Sequence, residues 1–467
     1  MSIPRRSLEG RLDLEAETEI STEMPTDPGP APTEGELPAP RRAPRLRFGE
    51  TTRQAGMLFS AHTGAMLTGF VISLIQARWM EPAEMGRFAF CVAVVVITSI
   101  FFEFGVFSAG ARVLALERDA VAQRQALGAL ILMTVAISLA FSLFIAAAAV
   151  PVELFFNKDV RWLLLAAAAL AFFQPFQFFI EQVCQGLNQI RLLSLFNLLL
   201  SGLYLLILVG CALAYRLTAG VALGAYLGGI ALATVWAIVR LRPSFRGMRP
   251  YAKLTLSEAR GYGLNLYLAR VTGIISARSD QLVIAYFLAG AEPLGIYAIV
   301  QKFGNPIAMM GRSLAVTRFR AFASLARIPR RIIRWNVGLL VAASVALVAL
   351  GPLAIKIAFP KYVEGAPLLL PFALMNLFVG LYQPYNCFLA AHGRGAEIRN
   401  VVFFVTVASV GGLVLSVSRF GIMGAAWTGA AAMALDYVLH LYYYQKFRSK
   451  LEKAGPDPGG QSSRATV

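Results

Sequence analysis

Apolar positions along this chain come in long blocks and do not alternate with polar ones. Residues 126–150, 163–180 and 192–213 are free of Asp, Glu, Lys and Arg. Each block is about as long as a bilayer core requires, roughly 20 residues at about 1.5 Å per residue. Barrel strands would be shorter, about ten residues, and would alternate in polarity. The pattern therefore predicts an all-α polytopic membrane protein with about twelve transmembrane helices. The spans fall at 56–77, 87–108, 125–150, 161–183, 192–213, 219–239, 262–287, 294–311, 335–358, 366–388, 400–418 and 421–444. Twelve spans put both termini on the same side.

The blocks also repeat. Gln174-Pro175-Phe176 in the fourth span matches Gln383-Pro384-Tyr385 in the tenth, 209 residues later. The same offset carries Gly86, Phe88 and Ala89 onto Gly295, Tyr297 and Ala298, and Thr63-Gly64 onto Thr272-Gly273. An even number of spans per half makes the halves parallel repeats, related by an axis along the membrane normal, and such repeats enclose a central cavity. The expected divisions are a disordered cytoplasmic tail (1–55), an N-terminal six-helix bundle (56–240), a basic cytoplasmic linker (241–261), a C-terminal six-helix bundle (262–445) and a cytoplasmic tail (446–467). Pro175 and Pro384, at matched depth, each remove a backbone hydrogen bond and are expected to kink their helices. Such kinks flare a bundle or stay static against a neighbour.

Composition changes the picture in one respect. The net charge is +17, with 57% hydrophobic and 15% charged residues. In a soluble protein that charge would suggest nucleic acid. Here it lies between apolar blocks, richest at 240–260 and 312–334, on the side that carries both termini. That is the positive-inside pattern of a multi-pass protein with cytoplasmic termini. Residues 1–55 begin acidic and Pro-rich and end basic at Arg41, Arg42, Arg45, Arg47 and Arg53, next to the first span. This suits anionic headgroups or serves as a topology signal. Cys91, Cys184, Cys211 and Cys387 sit in apolar spans without paired spacing and read as small hydrophobes. No metal-ligand spacing, P-loop or other cofactor motif is present.

Charges inside spans are costly and need a reason. Span seven carries Arg270, Arg278 and Asp280, and span eight carries Lys302. Arg270, Arg278 and Lys302 are expected to line a wet cavity and bind phosphate oxygens, for which guanidinium forks are suited. The competing reading pairs Arg278 with Asp280 and Arg270 with an acid on a neighbouring helix. Glu103 and Asp436 are candidates for ion coupling, as is Asp280, or else serve as counter-ions. Glu181, near a span end, is expected to be solvated. His62 and His440 read as helix contacts.

The stretch from Ala77 to Phe88, with Ala77-Arg78, Pro82, Glu84, Gly86 and Phe88 at their spacing, resembles the pattern that follows the first helix in polysaccharide transporters. Gly290-Ala291-Glu292-Pro293-Leu294-Gly295-Ile296-Tyr297 looks like its second-half counterpart. Gly421-Ile422-Met423-Gly424-Ala425-Ala426 resembles the family's entry into a late helix. The chain is thus similar to the Wzx-type oligosaccharide-lipid flippases of the multidrug/oligosaccharidyl-lipid/polysaccharide exporter superfamily. The resemblance implies a flippase in a bacterial inner membrane, acting in O-antigen or exopolysaccharide biosynthesis. Its cargo would be a polyprenyl-pyrophosphate-linked oligosaccharide, and its partners membrane lipids and the polymerase and export proteins of that route. A multidrug exporter of the same superfamily is the alternative, with acidic or aromatic linings to be expected. A membrane glycosyltransferase or polymerase would need catalytic groups on sizeable outer loops. The outer loops are short, and their Glu81-x-x-Glu84 pair also fits the family motif.

Overall fold

The computed structural model describes residues 48–453 apart from 215, 324 and 326. The tail expected at 1–55 lies outside these residues up to position 47, and the side chains of His62 and Asn265 also fall outside them. Among the described residues there is no strand. The helices are α1 (Phe48–Trp79), α2 (Pro82–Phe101), α3 (Val106–Leu116), α4 (Ala120–Phe156), α5 (Arg161–Ala171), α6 (Gln174–Gly186), α7 (Ile190–Ala214) and α8 (Ala219–Leu241). After the linker helix α9 (Arg249–Glu258) come α10 (Leu264–Phe287), α11 (Glu292–Ala323), α12 (Arg330–Ala358), α13 (Leu369–Ala391) and α14 (Gly395–Lys453). Twelve membrane spans result, because α2–α3 and α5–α6 each form one broken span and α14 folds into two legs at Gly421.

Each break has a local cause. Between α2 and α3 the chain leaves the helix at Phe102–Gly105, where Phe104 and Gly105 take φ of 46° and 74°. The expected second span ran unbroken to 108. The structure instead starts it at Pro82, a favoured first helical position, and unwinds it around Glu103. Between α5 and α6, Pro175 lies in the first turn after the break. Its repeat partner Pro384 stays inside α13. The two prolines therefore act differently in the two halves. Gly421, at φ 59° and ψ −142°, turns α14 back on itself, a geometry open to a residue without Cβ.

The two halves meet at one end, on the side away from both described chain ends. There the repeat-related glycines Gly86 and Gly295 face each other. A Cβ added to Gly86 would lie 1.7 Å from the carbonyl oxygen of Ala291, and one added to Gly295 would lie 1.8 Å from that of Pro82. Pro82 and Ala291 are themselves repeat partners, so this contact straddles the symmetry axis that the sequence offset implied. Around it, Lys361 pairs with Glu81 at 2.6 Å, and the Tyr362 hydroxyl donates to the carbonyl of Met80 at 3.2 Å. Glu84 takes the amide of Ala219 at 2.6 Å while pairing with Arg87 at 2.7 Å. Both carboxylates of the Glu81-x-x-Glu84 pair are therefore engaged in holding the fold.

Lys158, in the turn after α4, crosses the same contact. Its buried ammonium donates to the carbonyls of Leu288 and Gly290. Burial pushes it below the ordinary lysine range. Lys158→Met is expected to cost about 2 kcal/mol, the size of charge-assisted hydrogen bonds lost. A lower unfolding midpoint in detergent at neutral pH would show it, and an unchanged midpoint would contradict it.

Candidate functional site

Below this contact the halves separate around a cavity of about 1440 Å³. Its wall draws residues from α1, α2, α6, α7, α8, α10, α11, α12 and α13. Apolar groups such as Ile72, Phe88, Val92 and Met309 alternate with polar ones. Three cations line it, Arg278, Lys302 and Arg312, and no acidic side chain does so among the described residues. In a low-dielectric chamber an unbalanced set of cations attracts anions more strongly than in water.

Lys302 is fixed by a chain of amide and hydroxyl groups. Its Nζ donates to Gln76 Oε1 at 3.0 Å, and Gln76 Nε2 donates to Tyr204 Oη at 2.9 Å. This chain links α11 of one half to α1 and α7 of the other. A glutamine oxygen orients the ammonium without neutralising it, so its charge stays available to the cavity. Arg278 forms no ion pair among the described residues.

The pairing of Arg278 with Asp280, the competing reading of the sequence, does not form. Asp280 accepts from Tyr297 Oη and Gln301 Nε2, each at 3.0 Å, and from the backbone amide of Gln281. It is turned towards α11 and is absent from the cavity wall.

Arg270 is placed apart from the other two basic residues. It is not among the cavity-lining side chains. Its guanidinium meets Glu103 at 2.7 Å and stacks over the Phe178 ring at 5.4 Å. Glu103 sits in the unwound break of the second span and is fully buried. The sequence leaves both ion coupling and a counter-ion role open for it, and the structure sets it against Arg270. Near this pair, Gly105 packs on the backbone of Gly263, in the π-helical turn Ala259–Gly263 that precedes α10. Glu181, expected to be solvated, is half-buried and accepts from Gln177 at 3.4 Å.

Asp436 pairs with His440 at 2.8 Å one turn along α14. The His440 ring stacks on the cavity-lining Tyr382, with centroids 5.0 Å apart. The structure thus brings Arg278 and Lys302 into one chamber. It places Arg270 with Glu103 at the seam between α2–α3 and α10, and Asp436 behind the wall.

Sequence reasoning missed Gln76, Tyr204 and Arg312. The eighth span expected at 294–311 leaves Arg312 in a loop, whereas α11 continues to Ala323. A signal existed: Lys302 and Arg312 are ten residues apart, about 80° around a helix, so both fit one broad face.

A model of the polysaccharide biosynthesis protein family matches residues 51–310, more than half of the chain. The chain belongs to the polysaccharide biosynthesis protein family. Among curated proteins, none matches it. Its fold is shared with solved transporters. One is the lipid II flippase MurJ in an inward closed conformation, with 14% identity, TM-score 0.66, and 85% of this chain and 90% of that one covered. Another is a multidrug resistance MATE family transporter of the MOP superfamily in an inward-facing conformation, at 13% identity and TM-score 0.65. That match covers 86% of this chain and all of the other. An outward-facing structure of that family aligns at 14% identity and TM-score 0.52, covering 87% and 98%. This polysaccharide biosynthesis family member is a multi-pass membrane protein that shares its fold with those solved structures.

Proposed function

We propose that the chain flips a polyprenyl-pyrophosphate-linked oligosaccharide, a precursor of a surface polysaccharide, from the cytoplasmic to the outer leaflet of a bacterial inner membrane. Residues 56–240 and 262–445 act as the two rocking halves, joined by the linker at 241–261, with both termini cytoplasmic. The observation that carries this reading is the set of three cations, Arg278, Lys302 and Arg312, in a cavity lined by no carboxylate among the described residues. Arg278 and Lys302 hold the pyrophosphate. Amides and hydroxyls on the same wall, such as Gln281, Gln383 and Tyr382, suit a glycan. The contact at Gly86 and Gly295 closes the outer side, so cargo enters from the cytoplasmic leaflet. Arg270 acts through Glu103 and does not touch the cargo. A cationic drug would meet three like charges, which disfavours the exporter alternative.

The test is flipping of a fluorescent pyrophosphate-linked glycan in proteoliposomes. Arg278→Gln and Lys302→Gln are each expected to lower the rate at least about tenfold, from the loss of a charge-assisted contact of about 1.5–3 kcal/mol. Arg278→Lys should keep part of the rate, since it retains the charge and loses the fork. Wild-type rates in both glutamine variants at equal incorporation would refute the anion pathway.

A further inference from the structure

The start of α12 and the turn before it carry four arginines that the cavity does not use. Arg327, Arg330, Arg331 and Arg334 are all exposed, and none forms an ion pair among the described residues. No Asp or Glu occurs anywhere between Glu292 and Glu364. The helix starts at Pro329, which offers no side-chain cap, and its first turn holds no acid. Cations at the positive end of a helix dipole are unfavourable. Here four cluster there, beside the first-turn amides of Arg330 and Arg331. A bound anion would reconcile the arrangement, accepting from guanidinium groups and amides together.

The segment is also held rigid. The amide of Ile328 donates to Tyr444 Oη at 3.0 Å, and Ile332 and Ile333 pack on the cluster around Phe322, Tyr385 and Phe388. At about 100° per residue, Arg330, Arg334, Arg331 and Trp335 then cover an arc of about 140° on the opposite face. Trp335 is 69% exposed. Beyond it, Val337, Val341 and Val345 continue as an exposed stripe, four residues apart. Arginines at the membrane surface, an exposed tryptophan at headgroup level and a lipid-facing stripe beneath match an amphiphile better than a soluble anion.

We propose that Arg327, Arg330, Arg331, Arg334 and Trp335 form a docking site for the phosphate headgroup of an anionic phospholipid, with its acyl chains along Val337, Val341 and Val345. The site stands beside the cavity, since Leu339 of the same helix lines the wall. It is independent of the cargo assignment.

The experiment exposes the purified full chain to vesicles of equal phosphatidylcholine and phosphatidylglycerol and counts retained lipids by native mass spectrometry. Wild type should retain phosphatidylglycerol in preference. R327Q/R330Q/R331Q/R334Q should lose that preference at least about tenfold, given the contribution of each basic residue near an anionic surface. R242Q/R246Q/R249Q/K253Q removes equal charge from the other basic segment and should leave the preference unchanged. If the first variant does not yield monodisperse protein, R330Q/R334Q carries the test, with a smaller loss. Undiminished retention in the variant that folds, or an equal loss in the linker variant, overturns the site. Displacement of phosphatidylglycerol by millimolar inorganic pyrophosphate overturns the lipid assignment.

Discussion

Arg270→Ala is expected to cost about 3–5 kcal/mol, the range for removing one partner of a buried ion pair. Glu103 is fully buried, while the Arg270 side chain keeps 23% of its surface exposed. Losing the arginine strands a carboxylate in a dry break between two helices. Its Oε2 already lacks a hydrogen-bond partner, so nothing nearby is ready to take over. Losing the carboxylate is milder, because a partly exposed guanidinium can still reach water. Glu103→Gln should therefore destabilise distinctly less than Arg270→Ala. The double variant Glu103→Gln with Arg270→Ala should recover much of the loss, with a coupling of about 2 kcal/mol. Unfolding in detergent gives all three values. Equal and small effects of the two single changes would show that the pair is not a buried ion pair in the folded protein.

The hydrophobic blocks made the span count and the paired halves legible, because a bilayer admits few alternatives to a helix about 20 residues long. The repeat offset paired Gly86 with Gly295 as equivalent positions, but nothing in the sequence says that the two touch. Faces were far less legible. A span inside a bundle is apolar on all sides, so periodicity cannot say which residue faces a chamber and which a neighbour. Arg270 and Arg278 share a helix and a plausible arc, yet only the second reaches the cavity. What separates them is the break at Phe102–Gly105, which delivers Glu103 to Arg270. In sequence, Phe102-Glu103-Phe104-Gly105 lies within the span expected at 87–108. A carboxylate two residues before a glycine that takes positive φ was the one trace of unwinding. Asp280 illustrates the same limit: Arg278 is two residues away in sequence, but its side-chain partners Tyr297 and Gln301 come from the next helix.

Gly86→Ala and Gly295→Ala should each disable the contact that closes the halves between α2 and α11. No side chain fits: the added carbon would overlap a backbone carbonyl oxygen at less than 2 Å, and backbone cannot rotate away as a side chain can. Relief requires α2 and α11 to move apart, which pulls the halves open where they now touch. Overpacking of this kind costs about 3 kcal/mol, enough to shift a two-state equilibrium roughly 100-fold. The native pair Glu81 and Lys361 reports the contact directly, since a carbodiimide joins an ammonium and a carboxylate 2.6 Å apart. Coupling between them should fall at least about tenfold in either variant, and glycan flipping should fall with it. Gly210→Ala is the control, because a Cβ there meets nothing within 4 Å. It should leave both readouts at wild-type levels. Full coupling in Gly86→Ala would mean that the two glycines do not form the closing contact, and the alternation of access would have to turn on another surface.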